Sequence, residues 1–494
     1  MEENVDFKGK FTIGQFIDHY GVNGRTWVLF FLLGFAMLFE GYDSGIVNFT
    51  LPSIQAEWSL NSAVTGSLAS WSLIGLVIGG VFAGLLADKF GRKRVLVVSV
   101  IIFGLLNLPL YFAQDWMFFA FFRVAAGVGL GSCIPMVTTC FSEWMPSKNR
   151  GFFITFGMAW MILGTVIAGL VGGALCDSAA AAAIVGGQTT YEAAASISLP
   201  FTPGLHIDYW RVTYFIGFLP LFYAVVLHFA MPETPHFYAS RGDMDKCVET
   251  LRTYEKRVTG GTEITASLTP DQLIVPQKKQ GEKRPGPGAL FSKKFIRGTL
   301  AIWIGYFCGC MVLYGQNAFL PRMCGALGYT YTLATIAMAA AFIANVSCGW
   351  VADRIGRKRT VAIGFASGAV CVALSGMACL QGWTYETFVV VMILLGFTVN
   401  FGQTAIQPLM PETYPAELRG TGTSWCQAVG RIGGALGPII LGMLVDANMG
   451  GGATAPEAMG MAFMFMVIPA AVAAIAIMVL VKKDTAGTSI DTER

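Results

Sequence analysis

Charge is scarce in this sequence. Asp, Glu, Lys and Arg together make up 13% of the 494 residues, whereas hydrophobic residues make up 54% and mean hydropathy is +0.60. Soluble domains carry about twice that share of charge, so the chain is read as one that lives in lipid. The net charge of +3 is small and its basic residues are scattered among apolar runs, which excludes a nucleic-acid footprint. Histidine is rare as well, with four in the chain and none at ligand spacing. The 11 cysteines include no C-x-x-C pair and lie mostly inside apolar stretches, so neither a disulfide framework nor a metal site is expected. No nucleophile or phosphate-cradling constellation is visible, so the chain is not expected to be an enzyme and no cofactor is expected. The opening MEENVDFKGK is acidic and polar. No cleavable signal peptide is therefore expected, and insertion would use the first span.

Long apolar runs are what the sequence has in quantity. A spanning helix takes about 20 mostly apolar residues, and twelve such spans are predicted, at about 28–50, 62–86, 95–112, 117–140, 152–175, 212–231, 300–320, 331–351, 361–380, 388–409, 420–445 and 458–481. The expected fold class is an all-α membrane protein. An even number of spans puts both termini on one side, and 29 of the 33 Lys and Arg fall on that side. By the positive-inside rule that side is cytoplasmic. Arg123 and Arg431 fall inside spans 4 and 11, where a charge is costly enough to call for a functional reason.

The chain also repeats itself. Gly84-x-x-Ala87-Asp88-x-x-Gly91-Arg92-Lys93-Arg94 returns 265 residues later as Gly349-x-x-Ala352-Asp353-x-x-Gly356-Arg357-Lys358-Arg359. Glu143-x-x-Pro146-x-x-x-Arg150-Gly151 returns 269 residues later as Glu412-x-x-Pro415-x-x-x-Arg419-Gly420. Two motifs in the same order imply two homologous six-span halves. The domains are read as 1–231 and 298–494, joined by a polar linker at 232–297.

Twelve spans in two halves, with G-x-x-A-D-x-x-G-R-K-R after spans 2 and 8, resemble the major facilitator superfamily over nearly the whole chain. Pro232-Glu233-Thr234-Pro235 and Arg123-x-x-x-Gly127-x-Gly129-x-Gly131 are similar to both sugar porters and aromatic acid:proton symporters. Glu40-Gly41-Tyr42-Asp43 resembles the Asp-Gly-x-Asp of the acid symporters, with Glu in place of the first Asp. Arg419-Gly-Thr-Gly422-x-x-Trp425, followed by Gly430-Arg431-x-Gly433, is similar to their helix 11. Span 5 lacks the glutamine that sugar porters would show, and span 12 is not followed by Pro-Glu-Thr-Lys-Gly.

Helical rise gives the depth of the unusual residues. Asp43 lies about 22 Å and Glu40 about 18 Å into span 1, while Arg123 lies about 9 Å from the outer surface on span 4. The acids and the arginine thus share a depth, and Glu40 and Asp43 share a helix face at i, i+3. A nearby cation lowers a carboxyl pKa, whereas burial or a second carboxylate raises it, so Glu40, Asp43 and Arg123 could couple a proton to transport. The alternative is a permanent ion pair clipping two helices. Arg431 lies about 17 Å into span 11, near the midplane, where a guanidinium could grip a carboxylate bidentately or clamp helices through carbonyls. Tyr314, Gln316 and Asn317 on span 7 and Asn400, Gln403 and Gln407 on span 10 could wall the same pocket, or serve as helix glue. Trp71, Trp160 and Trp425 could stack a ring or simply pack. Asp88 with Arg92, and Asp353 with Arg357, are read as gating latches at the cytoplasmic mouths. The loop at 176–209 is expected to be loose or to form a cap.

The expected function is proton-coupled symport of a small organic anion, aromatic or other carboxylate, by alternating access in a cell membrane, inner or plasma. The expected partners are the anion, protons and the lipid bilayer, with the chain a monomer. A sugar or polyol porter and a non-transporting membrane sensor are the alternatives.

Overall fold

In the computed structural model the described residues are 10–177, 196–198, 206–260, 269–274, 287–414 and 416–481. The predicted spans become twelve helices long and apolar enough to cross a membrane. They are α1 (Gly24–Glu57), α2 (Ser62–Phe90), α3 (Arg92–Leu106, extended by Leu108–Tyr111), α4 (Trp116–Trp144), α5 (Arg150–Gly172) and α6 (Tyr209–Ile216 and Pro220–Ala230) in the first half. The second half holds α7 (Ile296–Ala326), α8 (Thr332–Ile355), α9 (Arg357–Gln381), α10 (Tyr385–Glu412), α11 (Ala416–Gly450) and α12 (Ala455–Leu480). Helix starts are set by short polar caps: Asn23, Asn61 and Asp115 accept backbone N–H groups at the starts of α1, α2 and α4, satisfying donors that the first turn leaves free. Gly91 and Gly356 turn the chain between α2 and α3 and between α8 and α9 at φ +102° and +95°. Only glycine adopts that backbone without strain, which explains the glycine at the same place in both copies of the motif.

Both halves pack by the same plan. In the first, α1 lies along α5, α2 along α4, and α3 against α4 and α6; in the second, α7 lies along α11, α8 along α10, and α9 against α10 and α12. Between the halves, α2 meets α11 and α5 meets α8, a symmetric exchange. Close approach within a half rests on small residues: a Cβ at Gly75 or Gly127 would run into the backbone of the partner helix where α2 crosses α4.

The ends at which the 232–297 segment lies are called the linker end, and the opposite ends the far end. Toward the far end one buried core runs through both halves, joining Tyr42, Ile46 and Phe49 to Phe319, Leu333 and Leu441. Toward the linker end the core divides: one part is centred on Phe30, Phe103 and Phe141, the other on Ile302, Phe365 and Phe401. Polar ties between the halves fall on the same side of this division. Asp446 of α11 accepts the backbone N–H groups of Ser62 and Ala63 at 2.8 Å each, and Arg322 donates to Gln55. Ser70 donates to the Ala435 carbonyl at 2.6 Å. The structure is thus closed at the far end.

The linker is more structured than a polar tether. Pro235–Ser240 and Met244–Thr259 are helical, and Cys247, Leu251 and Tyr254 bury one face of the latter, at the spacing of an amphipathic helix. In the loop after α5, Ser196–Ser198 and His206–Asp208 pair antiparallel; the rest of the expected cap lies outside the described residues.

Candidate functional site

Arg123 is fully buried, and its position follows from two partner residues, one on each of two helices. Its Nη1 donates to both carboxylate oxygens of Asp43 at 3.1 Å, its Nε donates to Ser72 Oγ at 3.0 Å, and its Nη2 reaches the Asp43 carbonyl at 3.4 Å. This satisfies the charge and joins α1, α2 and α4 at one point. Ser72 was not legible as a partner, because a small hydroxyl in an apolar span has no distinguishing pattern.

Glu40 makes no ion pair with Arg123, although the Asp43 carboxylate acts on it. It is 2% exposed, and its Oε2 has no hydrogen-bond partner among the described residues. The cation whose charge acts on it is Arg431 of the other half, not Arg123. The sequence places Glu40, Asp43 and Arg123 together; in the folded chain Arg123 binds Asp43, while Glu40 comes under the charges of both Asp43 and Arg431.

Arg431 is half-buried and makes no hydrogen bond or ion pair among the described residues. Its field reaches Tyr306, Cys310 and Tyr314 of α7 as well as Glu40. Its surroundings are built by close packing: the Tyr306 and Tyr314 rings lie against Gly430 and Gly434, on either side of Arg431 along α11. A guanidinium is rarely left without an acceptor at this depth, and a bidentate anion would supply one.

Around it the predicted amides take two roles. Gln407 donates to the Tyr306 hydroxyl at 3.0 Å, Tyr306 donates to Gln427 at 2.9 Å, and Gln427 donates back to Gln407 at 2.9 Å. This closed ring is internally satisfied. Asn400 donates to the carbonyl of Gly396 in its own helix at 2.9 Å. In contrast, the side-chain oxygens of Gln316, Asn317 and Gln403 are buried with no donor among the described residues, although Gln403 donates to Cys310 Sγ at 2.9 Å. Tyr306 and Gln427 were missed from the sequence. Their signal was spacing: Gln427 stands one turn before Arg431, and Tyr306 two turns before Tyr314.

Of the three tryptophans, Trp160 packs against Phe31 and Phe35 of α1, and Trp425 stacks on Trp303 at 6.2 Å. Trp71 is half-buried and its indole N–H has no partner among the described residues.

At the linker end, the acid buried against Arg92 is Glu143, at 3.3 Å from Nε; Asp88 is 3.6 Å from Nη2, but its side chain is 76% exposed. Glu233 accepts the backbone N–H groups of Lys93 and Thr234 at 3.1 and 3.0 Å. Burial raises its carboxyl above the usual range, opposed by those bonds. Arg357 pairs with Glu412 in the second half, repeating the Arg92–Glu143 pair. The side chain of Asp353 lies outside the described ones. In both copies the buried acid therefore comes from the second motif, Glu143 and Glu412, which sequence reasoning had used only to establish the repeat. No cluster of metal-ligating side chains occurs among the described residues.

Comparison with known proteins accords with this geometry. The chain is 28% identical to the gallate transporter of Pseudomonas putida over 94% of both chains. It is 29% identical to the niacin transporter NiaP of Acinetobacter baylyi, over 88% of this chain and 90% of that one. Its fold is similar to the inward open conformation of the xylose transporter XylE from E. coli, with a TM-score of 0.68, 17% identity, and coverage of 94% and 98% of the two chains. The family of sugar (and other) transporters matches residues 29–489. The chain belongs to that family, as a multi-pass membrane transporter of the major facilitator fold and not an enzyme.

Proposed function

We propose that this transporter carries a small aromatic or other carboxylate anion together with protons, by alternating access, with both termini in the cytoplasm of a cell in whose inner or plasma membrane it sits. The observation that carries the reading is the unpartnered guanidinium of Arg431 where the halves meet, beside orphaned amide oxygens and the buried Glu40. A neutral polyol would satisfy the amides but leave the guanidinium unpaired; a carboxylate satisfies it. The relatives named for gallate and niacin transport carry aromatic rings bearing one carboxylate, and this chain is similar to them along nearly its whole length.

Proton coupling follows from the same placement. An anion on Arg431 adds negative charge close to Glu40, and two anions in a low-dielectric site repel. Arrival of the substrate and protonation of Glu40 therefore favour each other. Asp43 stands one turn from Glu40 on α1, and its pair with Arg123 of α4 would hold or release a proton of its own as α1 and α4 shift. The continuous core at the far end and the divided core at the linker end suit one of two alternating states, the rocking biased by the ligand's differential affinity for each.

Uptake into proteoliposomes tests this directly. Gallate, nicotinate, 4-hydroxybenzoate, xylose and a polyol would be offered with and without an inward proton gradient. Carboxylate uptake stimulated by the gradient is expected. Uptake of xylose or polyol with none of the carboxylates would overturn the reading.

A further inference from the structure

A second concentration of cationic groups lies at the linker end of α1, away from the central site. The helix Met244–Thr259 packs against the start of α1 and helps enclose a cavity of about 260 Å3 lined by Arg25, Trp144, Tyr238 and Arg257 among others. A neighbouring cavity of about 310 Å3 shares Arg25 and Arg257 and adds Val28 and Val258. The two guanidiniums thus sit where the cavities meet, and each lies in the field of the other.

Little in the protein offsets that charge. Arg25 donates to the Ala230 carbonyl at 3.0 Å, which uses one of its five N–H groups. Arg257 is exposed and has no hydrogen-bond or ion-pair partner among the described residues. Glu249 also lines the cavity and pairs with neither arginine, while Lys246 is taken by Asp243 at 2.7 Å. A further donor is idle: Trp144 is fully buried, lines the same cavity, and its indole N–H has no acceptor among the described residues. Two cations lining the same cavities, one with a single carbonyl acceptor and one with none, and a buried N–H without one among the described residues, call for an oxyanion between them.

The surroundings say what the oxyanion is attached to. Gly24, Val28, Phe31 and Phe35 stand at helical spacing on one face of α1, and Val28, Phe31 and Phe35 are 45%, 45% and 41% exposed. Phe35 leads on to Tyr223 of α6, its ring 6.2 Å away. An apolar track thus runs into the spanning region from the arginine pair, at the level where lipid headgroups lie. A free inorganic anion would use the arginines and leave the track idle.

We propose that Arg25, Arg257 and the Trp144 N–H hold the phosphate of an acidic phospholipid from the linker-side leaflet, with an acyl chain laid along Val28, Phe31 and Phe35. The full chain, purified in detergent, would be titrated with phosphatidylglycerol or phosphatidylcholine and followed by native mass spectrometry and thermal shift, with inorganic phosphate as competitor. One phosphatidylglycerol should bind in preference to phosphatidylcholine. Arg257→Gln should weaken it roughly fivefold, and Arg25→Gln with Arg257→Gln more than twentyfold, since each basic residue near an anionic headgroup contributes about a factor of five. Because Arg25 also holds the end of α6, Arg257→Gln alone, on an exposed side chain, decides the matter if the double variant fails to fold. Unchanged phosphatidylglycerol affinity in Arg257→Gln overturns the site. Displacement of the lipid by millimolar inorganic phosphate, with phosphate giving the same thermal shift, overturns the lipid assignment.

Discussion

Replacing Arg431 by lysine separates a ligand-binding arginine from a structural one. In the folded chain this guanidinium has no hydrogen-bond or ion-pair partner among the described residues, so the substitution removes no internal bond. Stability should then stay within about 0.5 kcal/mol of the wild type, as for substitutions away from packed or bonded features. Affinity should behave differently. A bidentate carboxylate receives two charge-assisted hydrogen bonds, each contributing about 1.5–3 kcal/mol. Lysine keeps the charge but supplies only one of the two, a loss of about 2 kcal/mol, or roughly 30-fold in Kd.

Arg123→Lys supplies the contrast on the same scaffold. Arg123 is fully buried, with both Asp43 oxygens and Ser72 as acceptors, and disrupting a buried ion pair destabilises by about 3–5 kcal/mol. Equilibrium binding of radiolabelled gallate and thermal unfolding, measured on the same detergent-purified samples, give both quantities. The expected pattern is weak binding with normal unfolding for Arg431→Lys, and lowered unfolding temperature for Arg123→Lys. An Arg431→Lys protein that binds gallate within twofold of wild type but unfolds early would refute the argument, leaving Arg431 as a helix clamp.

Asp43→Asn keeps one acceptor for Arg123 but no titratable group, so proteoliposomes should lose gradient-driven accumulation of gallate while retaining counterflow; full concentrative uptake would rule Asp43 out of the proton step. Asp446→Asn breaks one of two charge-assisted bonds that tie α11 to the start of α2, a loss of about 1.5–3 kcal/mol made only when the far end is closed. Reactivity of cysteines placed in the far-end vestibule should rise by roughly 10- to 150-fold, and an unchanged rate would show that the apolar core alone holds that end shut. At the linker end, burial lowers the pKa of His236 below 6.5, helped by Arg150 and Arg92. The folded state therefore holds fewer protons on this residue than the unfolded state, and its contribution to stability is present above pH 6.5 and is lost as pH falls toward the depressed value. The gap in unfolding temperature between wild type and His236→Gln should close or reverse between pH 7 and pH 5; a gap independent of pH would remove the assignment.

How far the sequence carried these conclusions differs between fold and site. Spans and halves were legible because lipid imposes length and hydropathy on every spanning helix, and because the Asp88 and Asp353 motifs recur in register. The helix at Met244–Thr259 falls inside the segment read as a linker, although Cys247, Leu251 and Tyr254 carry its spacing. Side-chain partnership was less legible. A shared depth brought Arg123 and Asp43 together on paper as they are in the fold, but depth cannot say which way a helix face turns. Glu40 lies one turn from Asp43 and yet looks toward the second half, because α1 runs against α7 as well as α5. Likewise the linker-end motif repeats its Asp in both copies, but Asp88 is exposed and the buried partner of Arg92 is Glu143, an acid 55 residues along the chain from Asp88. Spacing within one helix identifies which residues share a face; which opposing charge that face meets is decided by the packing of helices distant in sequence, and it is there that Glu40 of one half comes under the charge of Arg431 of the other without an ion pair between them.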